Sequence, residues 1–133
     1  MTSTKQKKIP EEIRSKVLEI IANFNRRVID DPKCFYVSRF KGGTLYLDRH
    51  EDGEVGPICR LNFHGGMDDW KFAIYRYSRD RYDPDEWFFP GAELVDGTVQ
   101  GAMKAGMEAY PPTSHGAGSL LGILGNLLKR PKR

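Results

Sequence analysis

Residues 34–49 read CFYVSRFKGGTLYLDR, and this stretch decides the fold. Residues 34–40 are rich in aromatic and β-branched types, a composition that predicts a strand. Gly42 and Gly43 supply the positive-φ freedom of a tight hairpin turn. Beyond them a second strand spans 44–49, with Leu45 and Leu47 on one face and Thr44, Tyr46 and Asp48 on the other. Working outward, a charged loop from Asp52 and Gly53 to Gly56 and Pro57 leads to a third strand over 58–63. There Cys59, Leu61 and Phe63 alternate with Arg60 and Asn62. Gly65 and Gly66 mark another turn, and 70–77 sets Trp70, Phe72 and Ile74 against Lys71, Ala73 and Tyr75. Four strands with short connections predict an antiparallel meander, because parallel pairing needs crossovers of about a dozen residues or more. One face is apolar and the other mixed, so one face requires a helical cover.

Upstream, Ile13, Val17, Ile20, Ile21, Phe24 and Val28 form one stripe at helical spacing. Pro10 suits the first helical turn, Glu11 and Glu12 complement the positive end of the dipole, and Asp30, Asp31 and Pro32 end the helix. Downstream, Thr98 is placed to cap a second helix whose stripe is Val99, Ala102, Met103, Gly106 and Tyr110. Gly101 and Gly106 inside it predict close packing against the sheet, and Pro111 and Pro112 stop it. Between strands and helix, Trp87, Phe88 and Phe89 follow a polar segment over 78–86 and read as core filler, as a further strand or buried loop. The alternative for the same residues is an apolar ledge for a partner. The expected fold is thus α+β: N-terminal helix, four-stranded antiparallel meander, C-terminal helix, both helices on one sheet face. One domain covers 9–112. Residues 113–133 read as a flexible linker and a basic amphipathic tail.

The 133-residue chain has a formal net charge of +3 from 21 bases and 18 acids. Lys5, Lys7, Lys8, Lys129, Arg130, Lys132 and Arg133 stand at the ends with no acid among them. The body alone is therefore mildly acidic, with about 14 bases against 18 acids. No apolar run approaches the roughly 20 residues of a membrane span, and the polar, basic start is unlike a signal peptide, so a cytoplasmic location is expected. Cys34 and Cys59 read as buried thiols rather than a disulfide.

The chemistry-bearing residues do not assemble into a recognised motif. The stretch His64, Gly65, Gly66 resembles the oxyanion loop of lipase-like hydrolases, but no nucleophile elbow accompanies it. His50, His64, His115, Cys34 and Cys59 lack metal-ligand spacing, and Asp48, His50 and Asp52 open a calcium-like loop whose twelfth position is Cys59. The acids Asp68, Asp69, Asp83, Asp85 and Glu86 lie beside turn residues, where aspartate bonds its own backbone. Gly116, Gly118 and Gly122 miss the dinucleotide and phosphate-loop spacings. Neither a cofactor nor a metal is expected, and an enzyme would need His64 or His50 in a pocket beside a carboxylate.

Two interaction signals remain. Leu120, Leu121, Leu124, Leu127 and Leu128 gather on one side of a possible tail helix followed by Lys129 and Arg130. Such a segment suits a protein groove, self-association, or peripheral contact with an anionic membrane. Tyr75, Arg76, Arg79, Arg81 and Tyr82 interleave rings and cations as single-stranded nucleic-acid sites do. The layout, with the stretch from Asp83 to Pro90, resembles small bacterial domains of no assigned activity. The helix–sheet–helix order also resembles double-stranded RNA-binding domains in topology; neither resemblance carries a residue role over. The sequence favours a non-enzymatic module that binds protein through the sheet's open face, the Trp87 region or the tail, with nucleic-acid binding through Arg76, Arg79, Arg81 and the basic ends as the alternative.

Overall fold

The computed structural model describes residues 8–112. In chain order it comprises helix α1 (Glu11–Phe24) with a π-helical turn (Asn25–Ile29), strands β1 (Cys34–Lys41), β2 (Thr44–Glu51), β3 (Glu54–Phe63), β4 (Trp70–Arg76) and β5 (Arg81–Asp83), a 3-10 turn (Ala92–Leu94) and helix α2 (Val99–Ala109). The strands form one antiparallel sheet in the order β1-β2-β3-β4-β5. The meander is as expected, with one strand more. The fifth lies inside the polar segment, where three residues of mixed charge carry little strand signal; the Trp87–Phe89 stretch forms none.

The loop expected from Asp52 to Pro57 is instead a two-residue turn. Asp52 and Gly53 both take positive φ, at 50° and 89°, as a type I′ hairpin requires. β3 therefore starts at Glu54, and Gly56 and Pro57 lie within it. Pro57 is accommodated because the ladder is irregular there: the register shifts between Leu47 and Asp48, and Pro57 stands opposite Asp48 beside that bulge.

Both helices cover one face. Phe24 of α1 meets the Tyr36 ring edge-on at 5.9 Å, and the Tyr36 hydroxyl donates to the Met103 carbonyl of α2 at 2.8 Å. Leu45, Leu47, Ile58, Leu61, Phe63, Trp70, Phe72 and Ile74 fill the space beneath them. The α2 stripe is buried throughout, and the Thr98 hydroxyl accepts from the Gly101 amide at 2.9 Å, satisfying a free helix-terminal donor. Gly106 packs on the sheet, where an added Cβ would meet Tyr36 and stand 2.6 Å from Ile58 Cγ2. Gly101 faces Leu94 and Asp96 of the preceding loop rather than the sheet.

The α1 stripe holds through Phe24 and fails at Val28, which is exposed. The π-helical turn, closed by the Asp30 amide on the Asn25 carbonyl at 2.8 Å, takes an extra residue and carries Val28 off the apolar face. That turn has a partner in β1. The Asn25 side-chain amide donates to the Tyr36 carbonyl at 3.0 Å and accepts from the Tyr36 amide at 2.8 Å, occupying both backbone groups on the outer edge of the sheet.

The helix-covered face also holds a buried ion pair. Arg49 and Glu51 continue the line of Leu45 and Leu47, and both are essentially inaccessible. Arg49 Nε donates to Glu51 at 3.1 Å, while its terminal nitrogens reach the carbonyls of Gly106 and Tyr110 and the Tyr36 hydroxyl. The last turn of α2 contains no basic residue of its own. Arg49 supplies from the sheet the cation that the helix C-terminus favours.

Candidate interaction surfaces

Trp87, Phe88, Phe89 and Pro90 follow β5 along the helix-covered side. The expectation that they fill the core fails for two of the three rings. Phe88 is 97% exposed and Trp87 47%, while Phe89 is partly buried. Phe89 and Trp87 pack against Phe72 at centroid distances of 5.9 and 6.2 Å, and against each other at 6.3 Å, so the ledge has a fixed base. The Phe88 amide donates to the Glu86 carboxylate at 3.0 Å, and Glu86 is itself held by Arg76 at 2.6 Å. This short polar turn keeps the Phe88 ring outside the stack. A shallow, open groove of about 640 Å³ is lined by Trp87, Phe88, Phe89, Pro90, Ala92 and Glu93. On the other side of Phe88 a smaller cavity of about 190 Å³ is bounded by Ile74, Tyr77, Ala109 and Tyr110.

The opposite sheet face carries neither helix. The register brings Lys41, Thr44, Asn62 and Lys71 into one row across four strands, and Arg39, Tyr46, Arg60 and Ala73 into the next. Arg39 lies over the Tyr46 ring at 4.6 Å and pairs with Asp48 at 2.7 Å; Arg60 lies over the Tyr82 ring at 5.5 Å. The Tyr46 and Tyr82 rings lean together over the two strands between them, with centroids 5.4 Å apart. Burial and the Asp48 carboxylate push the Tyr82 hydroxyl up to about 12, against the opposing pull of Arg39.

The segment singled out in the sequence divides between these surfaces. Tyr75 and Tyr82 lie opposite each other on the open face, with ring centroids 4.9 Å apart. Arg76 turns to Glu86, and Arg79 and Arg81 approach Asp83 at 3.6 and 3.9 Å. Asp83 also accepts the Asp85 amide at 3.0 Å, the backbone-bonding role expected of a turn aspartate. His50 stacks on Phe35 at 4.7 Å, and His64 follows β3 at the other end of the β2–β3 pair. Among the described residues no group of three or more His, Cys, Asp or Glu side chains is arranged to hold a metal ion, and no helix is long and apolar enough to cross a membrane. Cys34 and Cys59 are free and buried; burial pushes the Cys34 thiol up to about 11 and the Cys59 thiol higher still. Leu120, Leu121, Leu124, Leu127, Leu128, Lys129 and Arg130 lie outside the described residues.

The ledge was visible in the sequence as an aromatic run, but which ring faces water depends on the Glu86 turn. The Arg39–Tyr46 and Arg60–Tyr82 pairs leave no local signal in the sequence, since they arise only from the strand register. Compared with protein-family models, curated proteins and solved structures, the chain matches none.

Proposed function

We propose that the domain is a small interaction module that takes up a protein partner on the Trp87–Pro90 ledge. The observation that carries this reading is Phe88, held almost fully in water beside a half-exposed tryptophan on a stacked aromatic base. Leaving a phenylalanine exposed forgoes roughly 1.5–3 kcal/mol that burial would supply. A partner recovers it, and Trp and other aromatic anchors dominate the energetics of such contacts. The shallow surface beside the ledge is open to a partner, and Glu93 on it provides a polar contact that fixes orientation. The Leu120–Arg130 tail remains a second proposed docking element, and peripheral membrane contact through it a lesser one.

The test is site-specific photocrosslinking in native lysate, with the photoreactive group at Glu93 on the groove wall. A protein adduct that disappears in Phe88→Asp, with the circular dichroism spectrum unchanged, supports the ledge. Adducts that persist in Phe88→Asp sink it. The same cross-links on a chain ending at 112 separate ledge from tail.

A further inference from the structure

We propose that the open sheet face binds single-stranded nucleic acid, with Arg60, Lys41 and Lys71 holding phosphates and the Tyr46–Tyr82 pair stacking bases. This site is independent of the ledge, and it uses different cations from the Arg76–Arg81 segment, whose guanidiniums are already turned to carboxylates.

Charge on this face runs against the rest of the body. The register assigns it Arg39, Lys41, Arg60 and Lys71, with Asp48 as its sole carboxylate on β1 to β4. Asp48 is engaged by Arg39. Among the described residues Lys41, Arg60 and Lys71 have no ion-pair partner, and Arg60 Nε is buried without a hydrogen-bond acceptor. A face with three uncompensated cations on a net-acidic body attracts a polyanion to one place. Strands about 4.8 Å apart put Lys41 and Lys71 on the order of 14 Å apart at the backbone, enough for a short run of nucleotides.

Rings identify the polyanion as one with unpaired bases. Tyr46 and Tyr82 are only partly buried, and each has a guanidinium over it, so the row offers planar groups at ring height across the sheet. Bases stack on tyrosine and on arginine planes alike, and every base has such a face, so this readout tolerates sequence. A duplex keeps its bases stacked internally and offers the rings nothing.

The experiment is fluorescence anisotropy of the full chain with labelled oligomers of about 15 thymidines or 15 uridines, and with a duplex of equal length. Three phosphate contacts predict affinity falling roughly 20-fold between 50 and 200 mM salt. The double substitution Lys41→Glu, Lys71→Glu should weaken binding at least tenfold and flatten the salt dependence. Tyr82→Leu should weaken it about tenfold with the salt dependence unchanged. Binding of either oligomer supports the site, and a preference between them says whether the ribose hydroxyl is read. Three results overturn it: no binding at 50 mM salt, a duplex held as tightly, or face variants that bind like the wild type. The last would assign the affinity to the basic chain ends. Both lysines are exposed, so the lysine variant decides the question should Tyr82→Leu fail to fold.

Discussion

Replacing Arg49 by methionine keeps an unbranched apolar stem and deletes the guanidinium. Three consequences follow from the structure. Glu51, at 1% exposure, keeps its carboxylate in the core without the cation beside it. The Tyr110 carbonyl at the end of α2 loses its donor, the Gly106 carbonyl keeps only the Tyr110 amide, and the Tyr36 hydroxyl retains only Met103 of its two contacts. Breaking one side of a buried ion pair costs about 3–5 kcal/mol. A domain of this size has roughly 5–15 kcal/mol in all, so the loss is a large share of the total. In urea with a slope near 1.5 kcal/mol per molar, the midpoint should fall by at least about 2 M with the slope unchanged. Adding Glu51→Leu removes the buried carboxylate that has lost Arg49, so the double variant should be more stable than Arg49→Met alone. It should still fall short of the wild type by about 1–3 kcal/mol, because the buried Tyr110 carbonyl stays without its donor. Equilibrium unfolding followed by far-UV circular dichroism measures both. A loss below about 1 kcal/mol for Arg49→Met, or a double variant weaker than the single one, would refute this account of the core.

Two further predictions concern packing and pH. Gly106→Ala gains roughly 1 kcal/mol of helix propensity, yet its Cβ meets Ile58 and a Tyr36 ring fixed by hydrogen bonds, so a net loss of about 1–2 kcal/mol is expected on thermal unfolding; a raised melting temperature would show that the interface has slack. For the buried thiols the folded state holds its protons longer than the unfolded chain does. Their contribution is complete below the ordinary thiol value of 9.0 and is lost as pH rises toward about 11 for Cys34, so stability should fall through this window. Cys34→Ala should reduce that slope by up to about 1.4 kcal/mol per pH unit, and an unchanged slope would mean that Cys34 ionises as readily folded as unfolded.

Much of the architecture was legible because the alternation of side chains is strict where one face is buried. Leu45 and Leu47 against Tyr46 and Asp48, or Phe72 and Ile74 against Lys71 and Ala73, can pair in one way only if the apolar set is to meet the helices. The errors arose where a local signal was overruled by tertiary context. Gly56 and Pro57 look like loop residues and hid a strand that tolerates them at a bulge; the Asp52–Gly53 pair beside them was the turn. Arg49 and Glu51 look like solvent residues, although they sit two apart on the buried face and carry opposite charge. The π-helical turn leaves no mark in composition, and only Asn25 bonded to Tyr36 shows what it positions. For the surfaces, the Trp87–Phe89 run was visible while its orientation was not, since one hydrogen bond from Phe88 to Glu86 decides it. On the open face Tyr46 and Tyr82 lie 36 residues apart along the chain, and no short window of sequence contains them with Arg39 and Arg60.

The proposed function requires that a partner cover Phe88, which is exposed in the free domain. Once the cross-linked protein is identified and purified, calorimetric titration against wild type and Phe88→Ala tests this directly, with thermal unfolding of both variants as the control. The account predicts affinity weakened by about 30-fold or more, the effect of losing an anchor of roughly 2 kcal/mol, with domain stability unchanged within about 0.5 kcal/mol. Equal affinity for the two proteins, or a Phe88→Ala variant that loses stability like a core substitution, would contradict it.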